Sequence, residues 1–125
     1  MLHRGQVVKR LGDGVLATFL TAQRAVDAAL DIQTAIDEIE VASFRPRLRA
    51  GVHWGSPRKL GGDHLGVDVT IAARVADAAK AGDVLVSDAV VERIDIGALR
   101  AGRPKRLRAG GAPRQMHVRR VSRPR

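Results

Sequence analysis

The stretch Lys9-Arg10-Leu11-Gly12-Asp13-Gly14 holds one acidic residue between two glycines, with alternating apolar residues on both sides. Residues 6–11 and 15–19 read as strands, and Asp13-Gly14 is a strong hairpin signal, because both residue types tolerate the positive backbone angles that a tight turn requires. Asp13 is therefore expected at an exposed tip. There it either serves the turn alone or offers a carboxylate to a metal ion, and the dipeptide by itself does not separate the two.

A chain of 125 residues with 45% hydrophobic residues is expected to be one domain, long enough to bury a core. Two Phe, one Trp and no Tyr leave that core to Val, Ile, Leu and Ala. With no Cys there are neither disulfides nor thiolate metal sites, which fits a reducing, cytoplasmic setting. No apolar run approaches the roughly 18 residues of a membrane span, and no signal-peptide core stands at the N-terminus.

The net charge of +9 is unevenly spread. From Arg100 onward there are ten Lys or Arg and no acid; the rest carries 12 Lys and Arg against 13 Asp and Glu, a net of −1. Such a segment attracts phosphates. It has no aromatic residue for base stacking, so nucleic acid is not an expected partner, and a solvated Arg-rich terminus is the plain alternative.

Downstream of the hairpin, Ala22, Ala25, Val26, Ala29, Ile32, Ile36 and Ile39 recur at helical spacing, predicting an amphipathic helix over 21–39. Leu48, Ala50 and Val52 alternate as a strand over 47–52, followed by a loop through Gly55, Pro57, Gly61 and Gly62 to Gly66. A second helix is predicted over 69–79, packing through Val69, Ala72, Ala73, Val75, Ala76 and Ala79, with Arg74 its one cation and Gly82 its C-cap. Residues 84–86 read as a short buried strand. Ser87 is a candidate cap for a third helix containing Val90, Val91 and Ile94, and 115–121 as a last strand. Alternating strands and helices predict an α+β fold, an α/β sandwich of helices on a sheet.

The order of motifs resembles the catalytic domain of class III purine nucleotide cyclases, the adenylate and guanylate cyclases. The residues that carry the likeness are V-V-K-R-L-G-D-G-V-L-A-T-F at 7–19, L-R-A-G-V-H-W-G at 48–55, G-D-H-L-G-V-D-V-T-I-A-A-R at 62–74, A-G-D-V-L-V-S at 81–87 and the basic loop R-L-R-A-G-G-A-P at 106–113. The resemblance implies a ferredoxin-like cyclase-type sheet covered by helices. It implies conversion of ATP to 3′,5′-cyclic AMP and pyrophosphate with two Mg²⁺ or Mn²⁺ ions, at a homodimer interface, in cyclic-nucleotide signalling.

By the same resemblance Asp13 matches a metal-binding aspartate, and Lys9 and Asp63 match the pair that reads adenine. An ammonium suits the ring N1 acceptor and a carboxylate the exocyclic amine, so the pair favours ATP over GTP. The alternatives are a polar strand residue for Lys9 and a turn residue for Asp63. Arg74 matches the arginine that stabilises transition-state charge on the phosphates, its alternative being a helix arginine that reaches solvent. Arg108 lies where the family commonly has a triphosphate-contacting Lys. Thr70 is a departure, standing where the family usually has Asn, with a shorter side chain and fewer donors.

A second departure is at the start. Family domains begin with a strand bearing another metal aspartate, followed by one or two helices, whereas only six residues precede the first matching motif at 7–19 here. Residues 1–121 are thus expected to form a partial cyclase domain missing its first strand and helices, and 122–125 a basic tail. Loss of each helix would uncover apolar surface worth several kcal/mol at about 25 cal/mol per Å². Activity is accordingly expected to be impaired. A non-catalytic cyclase-homology module, for dimerisation or nucleotide sensing, is the reading from a different class.

Overall fold

The computed structural model describes residues 5–11, 14–55, 58–60, 63–112 and 114–124. The alternating residues on either side of Gly12 and Asp13 pair as expected, strand β1 (Gln6–Leu11) antiparallel to β2 (Gly14–Thr18), with Lys9 opposite Leu16 and Leu11 opposite Gly14. Asp13, and with it the expectation of an exposed tip, lies outside the described residues.

Helix α1 (Ala22–Asp37) starts where Thr21, in an extended conformation, accepts from the Arg24 amide at 3.1 Å through its side-chain oxygen, satisfying one of the amides that a helix start leaves unpaired. Its buried line is Ala22, Val26 and Leu30, spaced by four residues, and Ala28 is buried on another side of the helix. The predicted stripe ran further: Ile32 and Ile39 are exposed instead.

Strand β3 (Ala50–Val52) is shorter than the predicted 47–52, and the stretch predicted as loop contains a second small hairpin, β4 (Arg58–Leu60) with β5 (Asp63–Leu65). Helix α2 (Val67–Ala78) follows, its C-cap at Ala79 and not at Gly82. Gly82 sits in the next turn at φ +88°, a left-handed position that suits glycine, and its carbonyl accepts from Gln33 on α1.

Strand β6 (Val84–Ser87) is buried at all four positions. Helix α3 (Asp88–Val91) is a single turn that excludes Ile94 and receives no capping bond from the Ser87 side chain. Strands β7 (Arg100–Ala101) and β8 (Lys105–Arg106) pair along one edge of β9 (His117–Ser122), which runs antiparallel to β6. Arg123, just past β9, is ion-paired with Asp31 of α1 at 2.6 Å.

The resulting sheet has the order β3-β6-β9-β7, with β3 parallel to β6 across the α2 crossover. Alternation along β6 divides the core in two. Val84 and Val86 join Val26, Leu30, Val52, Val90 and Val121 under α1. Leu85 joins Ile71, Val75, Ala79, Leu107, Met116 and Val118 under α2. This is the α+β sandwich of helices on a mixed sheet expected from the sequence.

Candidate functional site

Helix α2 is held unusually close to its sheet. A Cβ placed on Gly51 of β3 would run into the backbone of Ala76, so the helix lies directly on the strand at that point. Ile71, Val75 and Ala79 point inward, whereas the predicted packing residue Ala73 is exposed, as are Thr70 and Arg74. Thr70 and Arg74, one turn apart, therefore share the solvent-facing side of α2, where a guanidinium keeps its donors available to a ligand or a second subunit.

The basic loop packs against the same helix. Leu107 is buried in the cluster of Ile71 and Val75, with Ala109 and Ala112 beside it. The loop is closed by the Leu107 amide donating to the Met116 carbonyl at 3.0 Å and by Arg106 Nε donating to the Arg114 carbonyl at 3.1 Å. Gly111, at φ +81°, abuts Val67 at the start of α2, where any side chain would collide. Inside this loop is a cavity of about 380 Å³ lined by Arg106, Arg108, Ala109, Ala112 and Arg114. Among the described residues three guanidinium side chains and no carboxylate line it, which favours an anion.

Strand β5, which Asp63 opens opposite Leu60, touches both β1, bearing Lys9, and α2. The structure thus brings together the elements that carry Lys9, Asp63, Thr70, Arg74 and Arg108. Asp13 is outside the described residues. Among the described residues no three His, Asp or Glu side chains cluster in a way that would hold a metal ion.

Sequence reasoning missed a buried polar line beside this site. His53 Nδ1 is 2.7 Å from Ser87 Oγ, and His53 Nε2 is 3.1 Å from Asp68 Oδ1. An ionised carboxylate only accepts, so Nε2 carries a proton toward Asp68 and, in the neutral ring, Nδ1 accepts from the Ser87 hydroxyl. Although Ser, His and Asp stand in a row, Ser87 is fully buried and out of reach of any substrate, so the line is a support and not a nucleophile. A signal for it was present: positions 51, 53 and 55 of Gly51-Val52-His53-Trp54-Gly55 alternate to one side of an extended chain. The glycines at both ends leave room there, Gly51 for Ala76 and Gly55 for the Asp68 carboxylate.

No protein-family model matches the chain. A Rhizobium meliloti protein whose name describes an adenylate cyclase is 36% identical over 96 residues, 74% of this chain and 16% of that protein. The chain therefore spans about a sixth of that relative. Among solved structures, an adenylate/guanylate cyclase/hydrolase from Silicibacter pomeroyi superposes with a TM-score of 0.78 at 30% identity, over 97% of this chain and 74% of that one. The guanylate cyclase domain of RhGC from Catenaria anguillulae, solved with GTP, gives a TM-score of 0.79 at 26% identity over 99% of this chain and 75% of that one. With its motifs in order, its fold shared and this level of identity, the chain belongs to the adenylate/guanylate cyclase family.

Proposed function

We propose that the chain acts as an adenylate cyclase-type domain that converts ATP to 3′,5′-cyclic AMP and pyrophosphate at a homodimer interface. The observation that supports this most is the packing of the basic loop, with its three-arginine cavity, against α2 through Leu107, Ile71 and Val75, on the helix that carries the exposed Thr70 and Arg74, with β5 in contact with both α2 and β1. In the reaction the ribose 3′-oxygen forms a bond to the α-phosphorus, the bond from that phosphorus to the bridging oxygen breaks, and pyrophosphate leaves with the electron pair. The hydroxyl proton passes to solvent.

Charge builds on the phosphates as that bond breaks, and Arg74 supplies fixed donors where it builds. Arg108, with Arg106 and Arg114 around the cavity, takes the triphosphate. Lys9 and Asp63 read the adenine edge. The described residues do not by themselves fit a divalent ion, so no step is assigned to one; the carboxylate matched to a metal role is Asp13.

The second reading, a nucleotide-binding module without turnover, draws on Thr70, whose single hydroxyl replaces a side-chain amide. One measurement separates the two: purified protein is incubated with ATP and Mn²⁺ and cyclic AMP is quantified beside calorimetric binding of ATP and GTP. Cyclic AMP formation that Arg74→Ala abolishes supports the first reading. Binding that prefers ATP, with no cyclic AMP, favours the second, and equal or absent binding of both nucleotides overturns both.

A further inference from the structure

We propose that His53 is a positioning residue for Arg74 and Thr70, its imidazole tying the first turn of α2 to the end of β6. The inference rests on the cyclase reading of α2. Helix α2 starts at Gly66, which has no side chain to cap the helix, and no side-chain capping bond is made there. The first turn instead places Asp68 against His53, on the side of the helix away from Thr70 and Arg74, and the ring's other nitrogen meets Ser87. His53 has a side chain only 8% exposed, and Ser87 is wholly buried.

Three elements are thereby fixed to one another through one ring: the end of β3, the end of β6 and the start of α2. A cavity of about 130 Å³ lies beside the ring, lined by His53, Ser87, Asp88, Ala89, Gln115 and Met116. Packing therefore does not surround the imidazole on all sides, and its two hydrogen bonds set its place. Gly55 carries no side chain where Asp68 passes, and Gly51 lets the helix settle onto β3. The alternating Gly51, His53 and Gly55 thus act together, two making room and one holding. Rotation of α2 about its axis or sliding along it is resisted at Asp68, six residues and less than two turns before Arg74. Ser87 serves this tether in place of the capping role expected of it.

The test uses the full 125-residue chain, ATP with Mn²⁺ in a calorimeter, thermal melting, and amide exchange across residues 67–70. Removing a hydrogen bond to a charged group costs about tenfold in the equilibrium it supports. His53→Ala is expected to weaken ATP binding by about that factor. His53→Gln, whose amide nitrogen falls near the Nε2 position and still donates to Asp68, should keep affinity within about threefold of the parent. His53→Asn, which reaches only toward Ser87, should behave like His53→Ala.

In an Arg74→Ala background His53→Ala should add less than about twofold, while lowering the melting temperature as much as it does alone. A loss of ATP affinity that persists undiminished without Arg74, or that Gln fails to rescue, overturns the proposal. Should Arg74→Ala lower cyclic AMP formation while leaving ATP affinity unchanged, the same comparison of His53 variants is read on turnover. Should it change neither ATP affinity nor cyclic AMP formation, the cyclase reading fails and the claim on Arg74 fails with it; faster exchange at 67–70 in His53→Ala would then retain the tether alone, and unchanged exchange would remove that too.

Discussion

At the residue scale the telling position is Thr70. Its hydroxyl offers one donor where an amide offers two, on an exposed helix side one turn from Arg74. If that shortfall limits the site, Thr70→Asn should tighten ATP binding several-fold, by about 1 kcal/mol for one added hydrogen bond, with no change in melting temperature because the position is exposed. Calorimetry checks it, and weaker binding in the variant would contradict the match. Lys9→Glu, which replaces the donor proposed for adenine N1 by an acceptor, should erase or invert the proposed preference for ATP over GTP in paired titrations. The positions Lys9, Asp63, Thr70, Arg74 and Arg108 could be singled out as candidates because they lie inside motifs contiguous in sequence. The His53–Asp68–Ser87 line was not, since its members are 15 and 34 residues apart and only the fold joins them.

Elements reveal themselves in proportion to how much periodic sequence they contain. Helix α1 offers four turns of pattern and was legible, although its buried line is narrower than the apolar residues implied: Ile32 falls on a side the sheet does not reach. Strands β4, β5, β7 and β8 have two or three residues each, too few for a period of two to show, and glycines between or beside them read as loop. Helix α2 on β3 gives the prediction at this scale. Because a Cβ on Gly51 meets the backbone of Ala76 and not a movable side-chain tip, Gly51→Ala must push the helix outward. Overpacking of this kind typically costs about 1–3 kcal/mol, a melting shift of several degrees for a domain this size. Gly110→Ala, where a Cβ meets nothing within 4 Å, is the matched control and should stay within about 0.5 kcal/mol of the parent.

Charge is the property of the whole molecule that bears most on its ligand. Ten cations and no acid lie from Arg100 to the end, against a net of −1 for the rest, and the fold gathers three of those cations, Arg106, Arg108 and Arg114, around one cavity beside α2. Others are engaged elsewhere: Arg123 pairs with Asp31, Arg120 stands 3.8 Å from Asp83, and Arg119 donates to the Gly102 carbonyl. Part of the field that an approaching triphosphate meets is therefore held at the basic loop. Fields at an open surface are screened over about 10 Å at 0.1 M salt and about 3 Å at 1 M. ATP affinity should consequently fall by about tenfold between low and high salt, roughly 1.4 kcal/mol, while adenosine, lacking phosphates, should bind weakly and with little salt dependence. Arg106→Ala, Arg108→Ala and Arg114→Ala combined should flatten the salt dependence of ATP toward that of adenosine. Titrations of both ligands at several salt concentrations decide the matter. A dependence for ATP that survives loss of the three arginines would place the phosphate contacts away from this loop, and with them the role assigned to Arg108.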